Sequence, residues 1–255
     1  MSCWCAVRKG WCTSYICNVV SEPVPADDGD GIANVVEDAA PGNGDYDSDG
    51  TKDSEQNNVA TLPNPSVDED VLPLSTDNPD RYNALVSAAA TDITAFTVES
   101  EASQSTQDAD NDYPLGLYSY TLTNVPVGST QPITIILDQQ YDTTDWVWRK
   151  YNQSTGIYTD IPASANGTYG TTTVGSLIVT TYTYSVTDGG ALDQDGIANG
   201  IIVDPVGPGV DTEVLAESGA GSLADTGLPI TYIMYTGIVL AVLAACQGPT
   251  LIHTL

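Results

Sequence analysis

Apolar and polar positions alternate through the middle of the chain, which is the pattern of half-buried β-strands. The alternation is clearest in GLYSYTLTNV, where Tyr118, Tyr120 and Leu122 take turns with smaller hydroxyl residues. Runs rich in β-branched and aromatic residues cover residues 91–100, 116–125, 131–139, 145–152, 156–162 and 176–188. Short polar turns such as NVPVGSTQP and NQSTG separate these runs. The sequence therefore predicts a mainly β protein with an antiparallel β-sandwich.

Helical signals are weak by comparison. The stretch DRYNALVSAAATD, residues 80–92, favours at most a turn or two of helix. An uncharged apolar run, LPITYIMYTGIVLAVLAA, occupies residues 228–245 and is just long enough to span a membrane. We therefore expect one hydrophobic helix, at the C-terminus.

Composition divides the chain into five segments. They are a Cys-rich start (1–20), an Asp/Gly/Asn-rich stretch (21–65), the Thr/Val/Tyr-rich sandwich (66–208), a linker (209–222) and the apolar tail (223–255). The first segment lacks the uninterrupted apolar stretch of a secretory signal, so we interpret it as a degenerate signal or a misassigned start. Its cysteines match no paired zinc-binding spacing, and residues 18–245 contain no cysteine that could form a disulfide.

Charge narrows the choice of partners. Asp and Glu number 34 against 6 Lys and Arg, a formal net charge of −28. That balance repels nucleic acid and anionic lipid, and it makes cations the natural partners. The acids concentrate in residues 21–60, where Lys52 is the only base. A compact state is strongly disfavoured at this density unless positive charge lies among the carboxylates.

The clearest motif is DYDSDGTKDSEQ, residues 45–56. Its first, third, fifth and ninth positions are Asp45, Asp47, Asp49 and Asp53. This is the layout of a twelve-residue calcium loop, in which Gly50 takes the tight bend and Thr51 offers its carbonyl. The twelfth position is Gln56 instead of a bidentate glutamate, which predicts weaker or shared coordination.

A second copy of the pattern lies earlier, in residues 26–37. Its third, fifth, ninth and twelfth positions are Asp28, Asp30, Asn34 and Glu37. Ala26 replaces the first acid, and Asp27 could substitute from the neighbouring position. A merely solvated acidic loop needs no such register, so both segments are predicted to bind Ca²⁺.

A third, weaker match is DQDGIANG, in which Asp193, Asp195 and Asn199 have the same central spacing. Asp188 and Asp204 flank it. The alternative is a Gly-rich turn whose Asp and Asn side chains satisfy backbone groups. The residues alone favour neither interpretation.

The paired segment DGDGIANVVEDAAPGNGDYDSDGTKDSEQNNVATLPNP resembles the thrombospondin type 3 calcium repeats of bacterial surface proteins. The segment of about 92–208, above all SVTDGGALDQDGIANGIIVDPVGP, looks like the choice-of-anchor U domain that often follows such repeats. The resemblance implies calcium dependence and display at the cell surface. It supplies no catalytic residues, because that family has no assigned catalysis.

The C-terminal segment also resembles that of bacterial surface proteins. LADTG, residues 223–227, resembles the LPxTG sorting signal with alanine in place of proline. The resemblance implies cleavage by sortase between Thr226 and Gly227 and attachment to the cell envelope. No Lys or Arg follows the apolar run, so a plain C-terminal membrane helix is the alternative.

Catalysis has few candidate groups. The only histidine, His253, lies beyond the apolar run, which excludes a Ser-His-Asp site in the sandwich. Trp146 and Trp148 beside Asp142 and Asp145 leave a sugar-binding or sugar-cleaving site as the alternative function. We expect no enzyme activity, and interpret the chain as a surface structural or adhesive protein whose further ligand is a glycan or a protein.

Two further features of the sandwich bear on its role. Exposed Thr- and Tyr-rich strand edges could pair between subunits, so a homo-oligomeric surface fibre is a second alternative. In WRKYN, a buried Lys150 beside Asp or Asn could form an isopeptide bond, as in some wall-anchored sandwiches. The simpler interpretation is strand alternation, with Trp148 and Lys150 on one face and Arg149 on the other.

Overall fold

The computed structural model describes residues 2–8, 11–18, 28–64 and 81–212. The predicted linker from residue 213 onward, the sorting signal and the apolar tail lie outside these residues. Near the N-terminus, β1 (Ser2–Arg8) and β2 (Trp11–Asn18) form an antiparallel hairpin with a bulge between Ala6 and Val7. No helix within the described residues is long and apolar enough to cross a membrane.

Strands are the main regular secondary structure of the remaining described residues. In chain order they are β3 Val59–Pro63, β4 Tyr82–Val86, β5 Asp92–Glu99, β6 Asn111–Asp112, β7 Leu117–Thr123, β8 Thr130–Ile136, β9 Trp146–Asn152, β10 Ile157–Asp160, β11 Thr168–Val174, β12 Leu177–Thr187 and β13 Ile202–Asp211. The helical segments are α1 Asn34–Glu37 and the 3-10 turns Asp53–Glu55, Glu101–Ser103 and Ala163–Ala165. The prediction of a mainly β protein is therefore confirmed.

These strands form two antiparallel sheets. One has six strands, in the order β10-β9-β13-β7-β5 with β6 paired to β13. The other has five strands, in the order β11-β12-β8-β4-β3. The first strand of the five-stranded sheet, β3, lies within the segment predicted to hold calcium repeats. The acidic stretch and the sandwich therefore overlap in sequence.

The main core contains apolar side chains from both sheets. In β7, Tyr118, Tyr120 and Leu122 are at most 1% exposed, whereas the serine and the threonine between them are half-buried. Trp148 of the six-stranded sheet stacks on Tyr182 of the five-stranded sheet, with ring centroids 4.2 Å apart. The alternation seen in the sequence of β7 thus marks the residues that this strand contributes to the main core.

A second apolar cluster lies on the opposite face of the five-stranded sheet. In β4, Leu85 belongs to the main core, whereas its neighbour Ala84 belongs to this second cluster. Ala40 and Tyr46, from the acidic stretch, pack into the same cluster. The acidic stretch therefore covers a sheet face that would otherwise expose apolar side chains to water.

The expectation of a helical turn in residues 80–92 is wrong, because this segment contains β4. Its backbone pairs with β3 on one side and with β8 on the other. Two ladders of hydrogen bonds and burial on both faces outweigh the modest helix propensity of alanine and leucine.

The strand least expected from sequence is β13, IVDPVGPGVD, which lies in the middle of the six-stranded sheet. Its first half, Ile202–Val206, pairs with β7, and its second half, Val206–Val210, pairs with β9. Pro205 and Pro208 fall in different halves, so each proline lies where only one neighbouring strand is paired. A strand in the middle of the sheet can therefore contain two prolines.

Glycine is required at position 207 for steric reasons. A Cβ atom there would lie 2.6 Å from the carbonyl oxygen of Gly116 and 2.8 Å from Leu117. We expect Gly207→Ala to destabilise the fold by about 1–3 kcal/mol, because backbone must move to relieve the overlap. Gly170→Ala is the matched control: its Cβ would meet only the rotatable Thr181 hydroxyl. Urea unfolding measures both, and equal midpoints would contradict the prediction.

Candidate metal centre

Tyr46 fixes the acidic stretch to the sandwich. Its side chain is fully buried, and its hydroxyl donates to the carbonyl oxygens of Tyr82 at 2.7 Å and Leu137 at 3.2 Å. In the sequence Tyr46 is the second residue of the 45–56 loop, between two predicted ligands. The anchor and the ligands of this loop are therefore adjacent along the backbone.

Three predicted ligands of the first loop converge. One carboxylate oxygen from each of Asp28, Asp30 and Glu37 lies within 4.8 Å of the other two. The helix α1 brings Glu37 back toward the two aspartates. Glu37 is held by the backbone N–H of Thr61, which donates to its Oε1 at 3.2 Å, and Asp30 Oδ1 accepts from the N–H of Ile32 at 2.7 Å.

Each of these three carboxylates also has an oxygen that lacks a hydrogen-bond partner. Asp28 Oδ2, Asp30 Oδ2 and Glu37 Oε2 are buried and have no hydrogen-bond partner. Asp30 and Glu37 are 0% exposed as whole residues. Buried polar atoms are nearly always hydrogen-bonded, and a buried charge without a partner is costly. Three such oxygens, on carboxylates that each bring one oxygen within 4.8 Å of the other two, fit a hard cation that prefers oxygen ligands.

Burial also perturbs the ionisation of this group. Loss of solvent, with the negative charge of Asp30 second, raises the pKa of Glu37 to about 9. Loss of solvent likewise raises the pKa of Asp30 to about 7. Without a cation these carboxyls therefore hold protons near neutral pH, and a bound cation would have to displace them.

The second cluster is more exposed and is organised by its own backbone. Carboxylate oxygens of Asp45, Asp47 and Asp49 lie within 4.8 Å of one another. The N–H groups of Asp49 and Gly50 each donate to Asp45 at 3.1 Å, and Gly50 has the left-handed φ of +98° that the bend requires. Burial, the largest cause, raises the pKa of Asp47 to about 7.

Other predicted ligands brace the loops. The carboxylate of Asp53 accepts from the N–H of Tyr46 at 3.1 Å and from the Thr61 hydroxyl at 2.5 Å. Asn34 donates its amide to the Ser54 carbonyl at 2.9 Å, and Gln56 donates to Asp49 at 3.3 Å. For Thr51 the contact is through its N–H, which donates to Asp49 at 2.8 Å.

Thr61 of β3 joins the two loops to the sheet. Its N–H binds Glu37 of the first loop, and its hydroxyl binds Asp53 of the second. It is fully buried. Nothing in the sequence singled out this threonine, because its role comes from the partners that pack around it. Only the usual preference of threonine for strands indicated that Thr61 lies in a strand.

The third motif is satisfied internally. Asp193 accepts from the N–H groups of Gly189 at 2.8 Å and Val203 at 3.2 Å. Asp195 accepts from the Ile197 N–H and from the Asn199 amide, both at 2.8 Å. Within residues 28–64 and 81–212, three-carboxylate clusters form only in the two earlier loops. These contacts favour the interpretation as a Gly-rich turn.

The residues considered for sugar binding lie apart from any such cluster. Trp148 is 3% exposed and covered by Tyr182, and Trp146 packs on Tyr141 with ring centroids 5.2 Å apart. Asp142 accepts from the N–H and hydroxyl of Thr144. The buried face of Trp148 is thus occupied by a core contact.

No protein-family model, curated protein or solved structure matches this chain.

The raised pKa values predict how cation binding and stability depend on pH. Folded Glu37 has a pKa of about 9 against an ordinary 4.5, so without a cation the folded state holds more protons than the unfolded state between these values. Stability without divalent cation should therefore fall as pH rises from about 5 to 9, whereas calcium affinity should rise.

Thermal unfolding with chelator and calcium calorimetry in buffers of different ionisation enthalpy measure both trends. Protons should be released when calcium binds at pH 7. Stability in chelator that rises over this range, with no proton release, would contradict the prediction.

Proposed function

We propose that this chain is a calcium-binding structural or adhesive module displayed at a cell surface. The observation that carries the proposal is the set of three buried, partnerless carboxylate oxygens on Asp28, Asp30 and Glu37. An acidic surface loop would turn such oxygens to water, whereas here they are buried on three carboxylates that approach one another closely. A divalent cation supplies the charge and the ligand bonds that this arrangement lacks.

Calcium is favoured among the divalent cations. All the converging ligands are carboxylate oxygens, which excludes the thiolate and imidazole sets preferred by zinc and copper. The two loops keep the irregular, backbone-braced spacing that calcium tolerates, whereas magnesium requires a near-ideal octahedron. Three protein carboxylates leave room for carbonyl and water oxygens to complete a coordination number of about 6–8.

In this proposal the cation has a structural role. It neutralises the loops, and the loops hold Ala40 and Tyr46 over the apolar face of the five-stranded sheet. Cation binding therefore becomes folding free energy of the sandwich. Outside the cell, calcium reaches the millimolar range in which weak modules of this kind are occupied.

Anchoring is the second part of the proposal. Sortase cleavage between Thr226 and Gly227 would attach the chain to the cell envelope just after the last strand of the sandwich. This part rests on LADTG and the apolar run that follows it. Detection of the chain in a purified cell-wall fraction, and its loss in a Thr226→Ala variant, would support it.

A calcium titration tests the metal site. We expect the purified chain to contain calcium by elemental analysis and to lose thermal stability in chelator. Saturation at about 100 times the dissociation constant should stabilise the fold by about 2.7 kcal/mol. Glu37→Gln should weaken binding, because it removes the charge of a ligand but keeps its size.

Asp195→Asn is the matched control, since it makes the same change in the third motif. It should leave calcium affinity unchanged. A native chain with no bound calcium and no response to chelator would contradict the proposal.

The link between cation and sandwich is tested at Tyr46. Tyr46→Ala removes the buried ring and both hydrogen bonds that attach the second loop to the sheet. We expect a loss of about 3–5 kcal/mol of stability and a smaller calcium-dependent shift in melting temperature. Tyr46→Phe keeps the ring and should retain most of the shift. An undiminished calcium shift in Tyr46→Ala would show that the loops and sheet are uncoupled.

A further inference from the structure

A buried ionic group lies in the main core, far in sequence from the calcium loops. Lys150 Nζ of β9 lies 2.6 Å from Asp204 Oδ1 of β13, with side chains 3% and 0% exposed. Within the described residues, none of the other ion pairs has both side chains so deeply buried. Burying two charges costs several kcal/mol each.

The register of the sheet holds the two groups together. Val206 pairs directly with Lys150, and Asp204 precedes Val206 by two residues on the same face of β13. An amine hydrogen-bonded to one carboxyl oxygen has its nitrogen roughly 3–3.5 Å from the carboxyl carbon, which is the distance of a near-attack geometry.

The second oxygen of Asp204 is held by two tyrosines. Tyr184, from the facing sheet, donates its hydroxyl to Asp204 Oδ2 at 2.8 Å, and Tyr120 lies 3.2 Å from the same oxygen. The two hydroxyls are 2.6 Å apart. Each hydroxyl has one proton, so two of these three contacts are hydrogen bonds at a time, and at least one tyrosine donates to Oδ2. This is the oxygen on which negative charge develops when a nucleophile adds to a carboxyl carbon.

We propose that Lys150 and Asp204 condense to an intramolecular isopeptide bond. A proton first passes from Nζ to Oδ1, which leaves a neutral amine and a carboxylic acid. The Nζ lone pair then attacks the Asp204 carboxyl carbon, and Tyr184 and Tyr120 stabilise the oxyanion on Oδ2. The C–Oδ1 bond breaks, a second amine proton passes to Oδ1, and one water leaves.

Burial favours this reaction in two ways. The product is a neutral amide, so the desolvation cost of the ion pair disappears. Two groups fixed in contact react as though at an effective concentration on the order of 10⁵–10⁸ M. A cavity of about 450 Å³ borders Lys150 together with Thr159 and Leu192, and it gives the released water a path out.

Mass spectrometry of the intact folded chain tests the proposal. We expect a mass lower than that of the sequence by one water molecule, and a branched peptide joining the Lys150 and Asp204 segments after chymotrypsin digestion. Trypsin should fail to cleave after Lys150. The cross-linked chain should also migrate faster than Lys150→Arg on a denaturing gel.

Controls distinguish formation of the isopeptide bond from other reactions that release water. Asp–Gly dipeptides such as Asp49–Gly50 can lose water by forming a succinimide, but that product hydrolyses in mild base and does not need Lys150. Lys150→Arg keeps the charge and should have the full mass. Tyr184→Phe should slow formation of the bond in refolded protein, with near-ultraviolet circular dichroism confirming that each variant folds.

Full mass in the native, folded chain would overturn the proposal. So would loss of water that persists in Lys150→Arg. Because these measurements use the parent chain first, a variant that fails to fold does not obscure the answer. Neither outcome depends on calcium, so the test is independent of the proposed metal site.

Discussion

The carboxyl groups of Asp28, Asp30 and Glu37 have to be buried together because of what their segment covers. Ala40 and Tyr46 lie on the apolar outer face of the five-stranded sheet, and the acidic loops on either side must follow them there. Moving the loops into water would hydrate the carboxylates but would expose the sheet face. The fold resolves this conflict only if something offsets the repulsion, and protons or a divalent cation are the two available means.

Thr61 connects the two acidic loops to the edge of the five-stranded sheet. Its N–H donates to Glu37 of the first loop, and its hydroxyl donates to Asp53 of the second. β3 lies at the edge of the five-stranded sheet, so its own pairing is one-sided. A cation bound in the loops, as proposed, would therefore stabilise an edge strand from the side that has no neighbour, and it would limit the unpaired edge available for association with another chain.

Sequence predicted the features that depend on local spacing. The close approach of acidic side chains in each loop and the alternation of β7 follow from period and residue type alone. Asp53 shows the limit of this reasoning, since its position in the motif predicted a ligand whereas its carboxylate binds Tyr46 and Thr61. The strands β4 and β13 were missed for a related reason. Alanine in one and proline with glycine in the other disfavour strands locally, and only pairing with distant segments makes them strands.

The position of the Lys150–Asp204 pair complements that of the loops. The loops hold the outer face of one sheet, whereas this pair lies inside the core and joins two neighbouring strands of the other sheet. β13 is the last strand described before the C-terminal segment, so tension from a C-terminal anchor would enter the sandwich through Asp211. The hydrogen bonds between β13 and β9 would carry that load one residue pair at a time. A covalent bond at Asp204 would instead transfer it to β9 directly, at a point that strand separation must pass before β13 can leave the sheet.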